Sequence, residues 1–537
     1  MINKKGAALG LILFLIVITG CGVAQKQTTG TQTSDQVVRY NLGAEPESLD
    51  PAKMTGMIEG TVANALFEGL VRYDDANKPQ PGIAAEWHIS DDGLVYTFRL
   101  REAKWSNGDP VTAEDFRFSW LRVLNPDTAS DYAYQLYYIK GAEEYNSGRG
   151  TADDVAIRAK DAHTLEITLK APARQFLGLT AFQTLMPVNP KVVEKYPDWY
   201  TSPINYVGNG PFILETWEHK QKITLIKNPN YWAAGDIKLD KLEIYLLEDD
   251  NTAYAMYETG KLDFIERTPP QEIALKKKDA DFRIFPDLSA EVYWFNTQRK
   301  PLDSPKVRKA LAMSIDRAAI VQHVTQAGEK PAYAWVPFGF TDEPAEVDFR
   351  EKGGNRYFTE DVAAARRFLE EAGYPQGRGF PSLTLQFNSN ERHRKTAEAI
   401  QEMWRQNLGI EIALAPKEWQ VYMADQAAMN YDISRSGWGP DYLDPMTFMD
   451  VFLSGGGNNI TGWSNSRYDS LIAQANGTGD NSLRMKAMHE AEAVLMDEMP
   501  VMPLYFYVND NLIRENIQGV VVPPFGTYAD FRNAYVE

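Results

Sequence analysis

Between Leu383 and Leu414 the hydrophobic period changes twice, which limits the possible fold more than any other stretch of the chain. Leu383, Leu385 and Phe387 alternate with polar residues, as in a strand. Ala397, Ile400, Trp404 and Leu408 then recur at helical spacing. Gly409 suits the position just past a helix end, and Ile410 to Leu414 reads as the next strand. Strand, helix and strand in this order make a βαβ unit, whose crossover sets its strands parallel. The chain therefore contains a mixed α/β lobe with an at least partly parallel sheet.

The remaining elements follow the same logic. Val37 to Leu42 is a short strand, and Met57 to Leu70 carries Ile58, Val62, Leu66 and Leu70 in one helical stripe. Tyr96, Phe98 and Leu100 alternate with Thr97, Arg99 and Arg101. After the Asn107-Gly108-Asp109-Pro110 turn, Thr112 with Glu114 and Asp115 starts a helix that leads into Phe116 and Trp120. Alternation returns at Leu165, Ile167 and Leu169 and again at Leu242, Ile244 and Leu246. Ser304-Pro305 opens a helix with Val307, Leu311, Ile315 and Ala319 facing inward. A late helix from Leu483 to Met496 precedes a strand at Val501 to Val508, and the tail to Glu537 reads as exposed.

One stretch gathers chemistry. Tyr431 to Phe448, YDISRSGWGPDYLDPMTF, begins as a strand and breaks at Gly, Trp and Pro, carrying Arg435, Trp438, Asp441 and Asp444 within ten residues. It offers both charge signs beside an aromatic wall, near the carboxyl end of a strand, where open sheets bind ligands.

With 537 residues the chain exceeds one core and divides into two or three domains. Its 12 Trp and 27 Tyr suit a cleft that grips with amphipathic rings. Acidic residues exceed basic ones by 73 to 55, a net charge of −18, which argues against nucleic acid as a partner.

At the N-terminus, Lys4 and Lys5 precede an apolar run from Ala7 to Ile18, shorter than the ~20 residues that span a bilayer. This is a signal-peptide layout. It ends in Ile18-Thr19-Gly20-Cys21, which resembles the bacterial lipobox, in which the cysteine becomes the lipidated first residue. Cys21 is the sole cysteine, so the mature chain has no disulfide of its own. Gly22 to Gln36 is polar and small, a flexible tether.

Catalysis needs a positioned nucleophile, general base or metal. The six histidines (His88, His163, His219, His323, His393 and His489) are scattered, without HExxH or a cysteine companion, and no GxSxG or GxxxxGK[ST] occurs. No metal site and no cofactor are expected. Asp441 and Asp444 could share a proton, as hydrolytic carboxylate pairs do, which leaves a surface peptidase as the rival from another class. Gly455-Gly456-Gly457 with Asn458 and Asn459 reads as a flexible loop. His393 stands in the charge run Glu391-Arg392-His393-Arg394-Lys395, a pattern usual for a solvated helix face.

Residues 81–120, the GNGPF run at 208–212 followed by ITLIKNPNYW, and the GWGPDYLDP segment resemble the family-5 extracellular solute-binding proteins. These include the oligopeptide-binding proteins that feed ABC importers. The resemblance covers about Val37 to Glu537. It implies an α/β fold of the periplasmic-binding-protein-like class II, with mixed sheets, two ligand-binding lobes and a third, inserted domain. Residues 1–20 are then the signal peptide and 21–36 the lipidated tether. Domain I comprises 37–67, 193–288 and 509–537, domain II is 68–192, and domain III is 289–508.

The resemblance further implies a non-enzymatic, monomeric receptor held outside the cytoplasm by a membrane lipid anchor. Its partners are short peptides and the permease subunits of an ABC transporter. Asp441 would pair with the peptide's α-amine, while Arg435 and His393 would lie around its carboxyl end. Trp419, Trp438 and Tyr507 keep the family's aromatic positions. Where family members carry further cations this chain has Gln426 and Thr325, and two acidic positions become Trp294 and Thr55. These departures open a second reading, a relative that takes cell-wall peptides, signalling peptides or another solute.

Overall fold

A computed structural model describes residues 35–74, 76–354 and 356–537. The expected signal peptide, Cys21 and the tether up to residue 34 lie outside the described residues. Gln36, the last residue of the expected tether, is tied to the fold. Its side-chain amide donates to the Val536 carbonyl at 2.9 Å and accepts from the Val536 amide at 3.0 Å.

Two long antiparallel strands, Phe282–Phe295 and Val501–Ile513, form the middle of an eleven-stranded sheet. Their register shifts between Pro286 and Ala290, and the two halves have different neighbours. The Leu512 end continues through Phe264–Ile265 and Val37–Asn41 to Lys241–Tyr245, Lys222–Lys227 and Phe212–Glu218. The half from Ala290 to Phe295 instead pairs with Ile433–Trp438, followed by Leu383–Asn388 and Ile412–Lys417.

The βαβ unit is present as read. Leu383–Asn388 and Ile412–Lys417 run parallel in register Leu383↔Ile412, joined by the helix Glu391–Leu408, with Gly409 at φ 70°. Ile433–Trp438 lies parallel on the other side of Leu383–Asn388, so the strand that delivers Arg435 and Trp438 is braced on both edges.

A separate antiparallel sheet orders Ala84–Ile89, Val95–Leu100, Thr164–Thr168 and Ile157–Asp161. The helix Ala113–Leu124 begins with the capping box of Thr112 and Asp115, whose carboxylate also accepts the Trp105 indole N–H at 3.0 Å.

Three expectations need correction. The first helix runs only over Met57–Leu66, because Phe67 is already extended; Leu70 is buried, but in the following loop. The helix opened by Pro305 ends at Met313, and a second, Arg317–Ile320, starts where the Asp316 carboxylate accepts from the Ala319 amide at 2.8 Å. Ile315 is buried between the two, and Ala319 is half-buried. The tail is not exposed. Phe525, Ala529, Phe531 and Ala534 are buried, and Phe531 packs on Tyr40 and Phe264 with ring centroids 5.1 and 6.1 Å apart. Apolar side chains spaced between Pro and Gly gave that segment no period to read.

Candidate ligand-binding site

Where the long strands change neighbours, the structure encloses a cavity of about 420 Å³, within the usual range for ligand sites. Residues far apart in sequence form its wall. Gly43 to Ile58, Asp131 to Tyr132, Phe182 to Gln183, Glu266 to Arg267, Asn388 to His393 and Trp419 to Ala427 all contribute, as do Arg435 to Asp441 and Tyr507 to Asn509. Seven of the expected residues meet here: Asp441, Arg435, His393, Trp438, Trp419, Tyr507 and Trp294. The 81–120 run contributes no residue to this wall.

The loop after Ile433–Trp438 is fixed by its own backbone chemistry. The Trp438 indole donates to the Thr447 carbonyl at 3.0 Å, and the Asp441 amide donates to the Thr447 hydroxyl at 3.0 Å. Asp444 accepts from the Met446 amide at 2.9 Å and is gripped by both terminal nitrogens of Arg484, at 2.8 and 2.5 Å. It is therefore committed, and it does not pair with Asp441.

Asp441 is 8% exposed, and among the described residues its carboxylate has a single hydrogen-bond partner, the Gln135 side-chain amide, which donates to Oδ2 at 2.7 Å. No Lys, Arg or His nitrogen lies within 4.0 Å of it among the described residues. Burial first, and then the nearby Asp450, push its carboxyl well above the usual carboxylate range. Burial likewise raises Asp450 to about 8. The loop thus presents a desolvated acid that a cation would stabilise.

Arg435 differs. Its Nε donates to Glu291 Oε1 at 2.8 Å, a terminal nitrogen meets Glu291 Oε2, and Tyr507 bonds to both partners. Glu291, buried inside a long strand, was not picked out from sequence, although an acid amid SAEVYWF is itself a signal. Arg435 borders the cavity, but its charge is already met.

His393 corrects the solvated-face reading. It is 2% exposed and borders the cavity, and burial, followed by repulsion from Arg435, Arg267 and Arg392, holds its imidazole neutral, well below the usual histidine range. Arg392 is buried too, held by Asp510 and Glu329, while Arg394 pairs with Glu391 and Glu398 on the outer face. The charge run is two-sided because it forms the first turns of the βαβ helix.

Among the aromatic residues, Trp294 is 2% exposed and stacks on Phe452 with centroids 5.5 Å apart. The indole nitrogens of Trp294 and Trp419 have no hydrogen-bond partner among the described residues. Gln426 borders the cavity, but its amide is spent on Tyr422, Ser434 and the Arg435 carbonyl. Thr55 borders the cavity as well; Thr325 does not, being buried in the Val321–Thr325 turn. The glycine loop is better anchored than expected, with Asn458 donating to the Tyr134 hydroxyl at 3.0 Å.

Comparison with known proteins agrees with this architecture. Residues 78–460 match the model for bacterial extracellular solute-binding proteins, family 5. The chain is 39% identical to the oligopeptide-binding protein OppA of Bacillus subtilis, over 98% of each chain. It superposes on Haemophilus influenzae OppA in complex with RPPGFSPFR with a TM-score of 0.87 at 33% identity, covering 94% of this chain and 99% of that one. For the Escherichia coli murein tripeptide binding protein MppA the TM-score is 0.88 at 34% identity (94% and 99% covered), but for an unliganded open form of MppA it falls to 0.63 (94% and 98%). On fold and sequence together, the chain belongs to the bacterial extracellular solute-binding proteins, family 5.

Proposed function

We propose that this protein is a lipid-anchored receptor outside the cytoplasm that closes on short peptides and hands them to an ABC permease, with no chemistry of its own. The observation that carries the reading is Asp441, a buried carboxylate on the cavity wall that has no cationic partner among the described residues. A peptide's α-ammonium supplies that cation, and its desolvation is offset only by a charge-assisted hydrogen bond to an anion. Further support comes from the peptide that accompanies the Haemophilus relative and from a fold that resembles that complex more than the open MppA form. In this reading domains I (37–67, 193–288, 509–537) and III (289–508) form the two jaws and domain II (68–192) is the insertion. The register shift between Pro286 and Ala290 is the point about which they close. The lipid anchor rests on the Ile18-Thr19-Gly20-Cys21 sequence. The commitment of Asp444 to Arg484 weighs against the peptidase alternative.

The test is calorimetry with matched free-amine and N-acetylated peptides. Asp441→Ala weakens the free-amine peptide by about thirtyfold or more, since truncating one member of a buried charge pair costs ~2–5 kcal/mol. The acetylated peptide binds poorly to wild type and loses little further, and Asp444→Ala has a much smaller effect on both. Equal binding of both peptides by Asp441→Ala and wild type would place the amine elsewhere.

A further inference from the structure

The cavity wall holds three arginines, and among the described residues one of them has neither an ion pair nor a hydrogen bond. Arg392 meets Asp510 and Glu329, and Arg435 meets Glu291 and Tyr507. Arg267 has no carboxylate oxygen within 4.0 Å and makes no side-chain hydrogen bond among the described residues, although it borders the same cavity. Five N–H donors without an acceptor are costly on a partly buried guanidinium unless a ligand answers them.

Two further features show that the side chain is placed there by the fold. Arg267 has φ 49°, a left-handed conformation uncommon for a residue with a side chain and concentrated at ligand clamps. Gly43 faces it: a Cβ on Gly43 would lie 2.6 Å from an Arg267 terminal nitrogen, so the missing side chain makes the room the guanidinium occupies. The adjacent backbone is pinned. Thr268 donates from its amide to Asp510 at 3.0 Å and accepts from Arg392 at its carbonyl at 3.1 Å. Arg392 and Asp510 thus hold the frame, and Arg267 projects from it.

Given the peptide reading, on which this rests, we propose that Arg267 is the carboxylate-binding residue of the cavity and that it takes a carboxylate of the bound peptide. That carboxylate is either the C-terminus or an acidic side chain, and guanidinium–carboxylate geometry suits both.

The experiment uses wild type, Arg267→Gln and Arg267→Lys with three probes. They are tri-alanine, tri-alanine amide and the amide of Ala-Glu-Ala, measured by calorimetry beside the melting temperature of each ligand-free protein. Arg267→Gln is expected to weaken a carboxylate-bearing probe by about thirtyfold, with the lysine variant between it and wild type. Loss confined to tri-alanine assigns the C-terminus; loss on the Ala-Glu-Ala amide assigns a side-chain subsite; either supports the proposal. Asp250 and Glu266 favour the Arg267 charge from beyond ion-pair distance, so the ligand-free glutamine variant is expected to stay folded and to melt only slightly below wild type. Equal loss on all three probes, no loss on any, or a lowered melting temperature with unchanged affinities overturns it. If wild type binds none of the probes, the peptide reading itself fails; if wild type binds and the variants bind alike, only the role of Arg267 does.

Discussion

Arg435 and Asp441 stand six residues apart on one strand and loop, and both border one cavity, yet their charges have opposite fates. Arg435 is closed within the protein, with Glu291 and Tyr507 satisfying it from the two long strands. Asp441 is left open, steadied by the neutral amide of Gln135. Residue type and local spacing do not distinguish these cases. What decides is whether a partner of opposite sign arrives from a remote strand. The acid beside Arg435 comes from 144 positions away, and among the described residues no base comes to Asp441.

The largest effect that would sharpen this contrast is on stability. Glu291→Ala leaves a buried guanidinium unpaired and is expected to cost ~3–5 kcal/mol in denaturant unfolding. Asp441→Ala should leave the ligand-free protein unchanged or slightly firmer, since it removes an unpaired buried acid. Equal destabilisation by the two variants would erase the distinction between closed and open charge.

A smaller effect is expected with pH. Asp450 retains its proton in the folded state up to about 8, whereas the unfolded chain releases it near the ordinary carboxylate value. Between those values the folded state binds more protons, so its stabilising contribution is complete in acid and fades as pH rises toward 8. Unfolding measured from about pH 5 to about pH 8 should show declining stability, and Asp450→Asn should flatten the decline by an amount on the order of 2 kcal/mol. A variant with the wild-type slope would mean that Asp450 is ionised in the fold.

The smallest effect concerns the neutral amide. Gln135→Ala removes one hydrogen bond from Asp441, and about a fivefold loss for free-amine peptides is expected, with none for acetylated ones. A loss as large as that of Asp441→Ala would make Gln135 a principal ligand contact.

Much of this was legible in the sequence where local rules suffice. The βαβ unit, the Thr112 capping box and the strand that breaks at Trp438 each rest on periodicity or on a cap within a few residues. The misreadings share a cause as well. His393 looked solvated because its neighbours are charged, but helical rotation turns Arg392 and His393 inward and Arg394 and Lys395 outward. The tail looked exposed because it lacks a period, although its aromatic side chains are pulled down by Tyr40 and Phe264. Glu291, Gln135 and Arg267 were not singled out, since each acquires its significance from residues remote in sequence.

The position of Val501–Ile513 also sets the order of assembly. This strand, almost the last to be synthesised, lies between Phe282–Phe295 and Phe264–Ile265, so every strand pairing across the middle of the large sheet waits for it. Until residue 513 is available, the sheet consists of two pieces with unpaired edges, and joining them closes loops of more than two hundred residues. Such a topology folds slowly and late. The native cavity, bordered by Tyr507 on that strand and by Tyr528 beyond it, comes into being only with an almost complete chain.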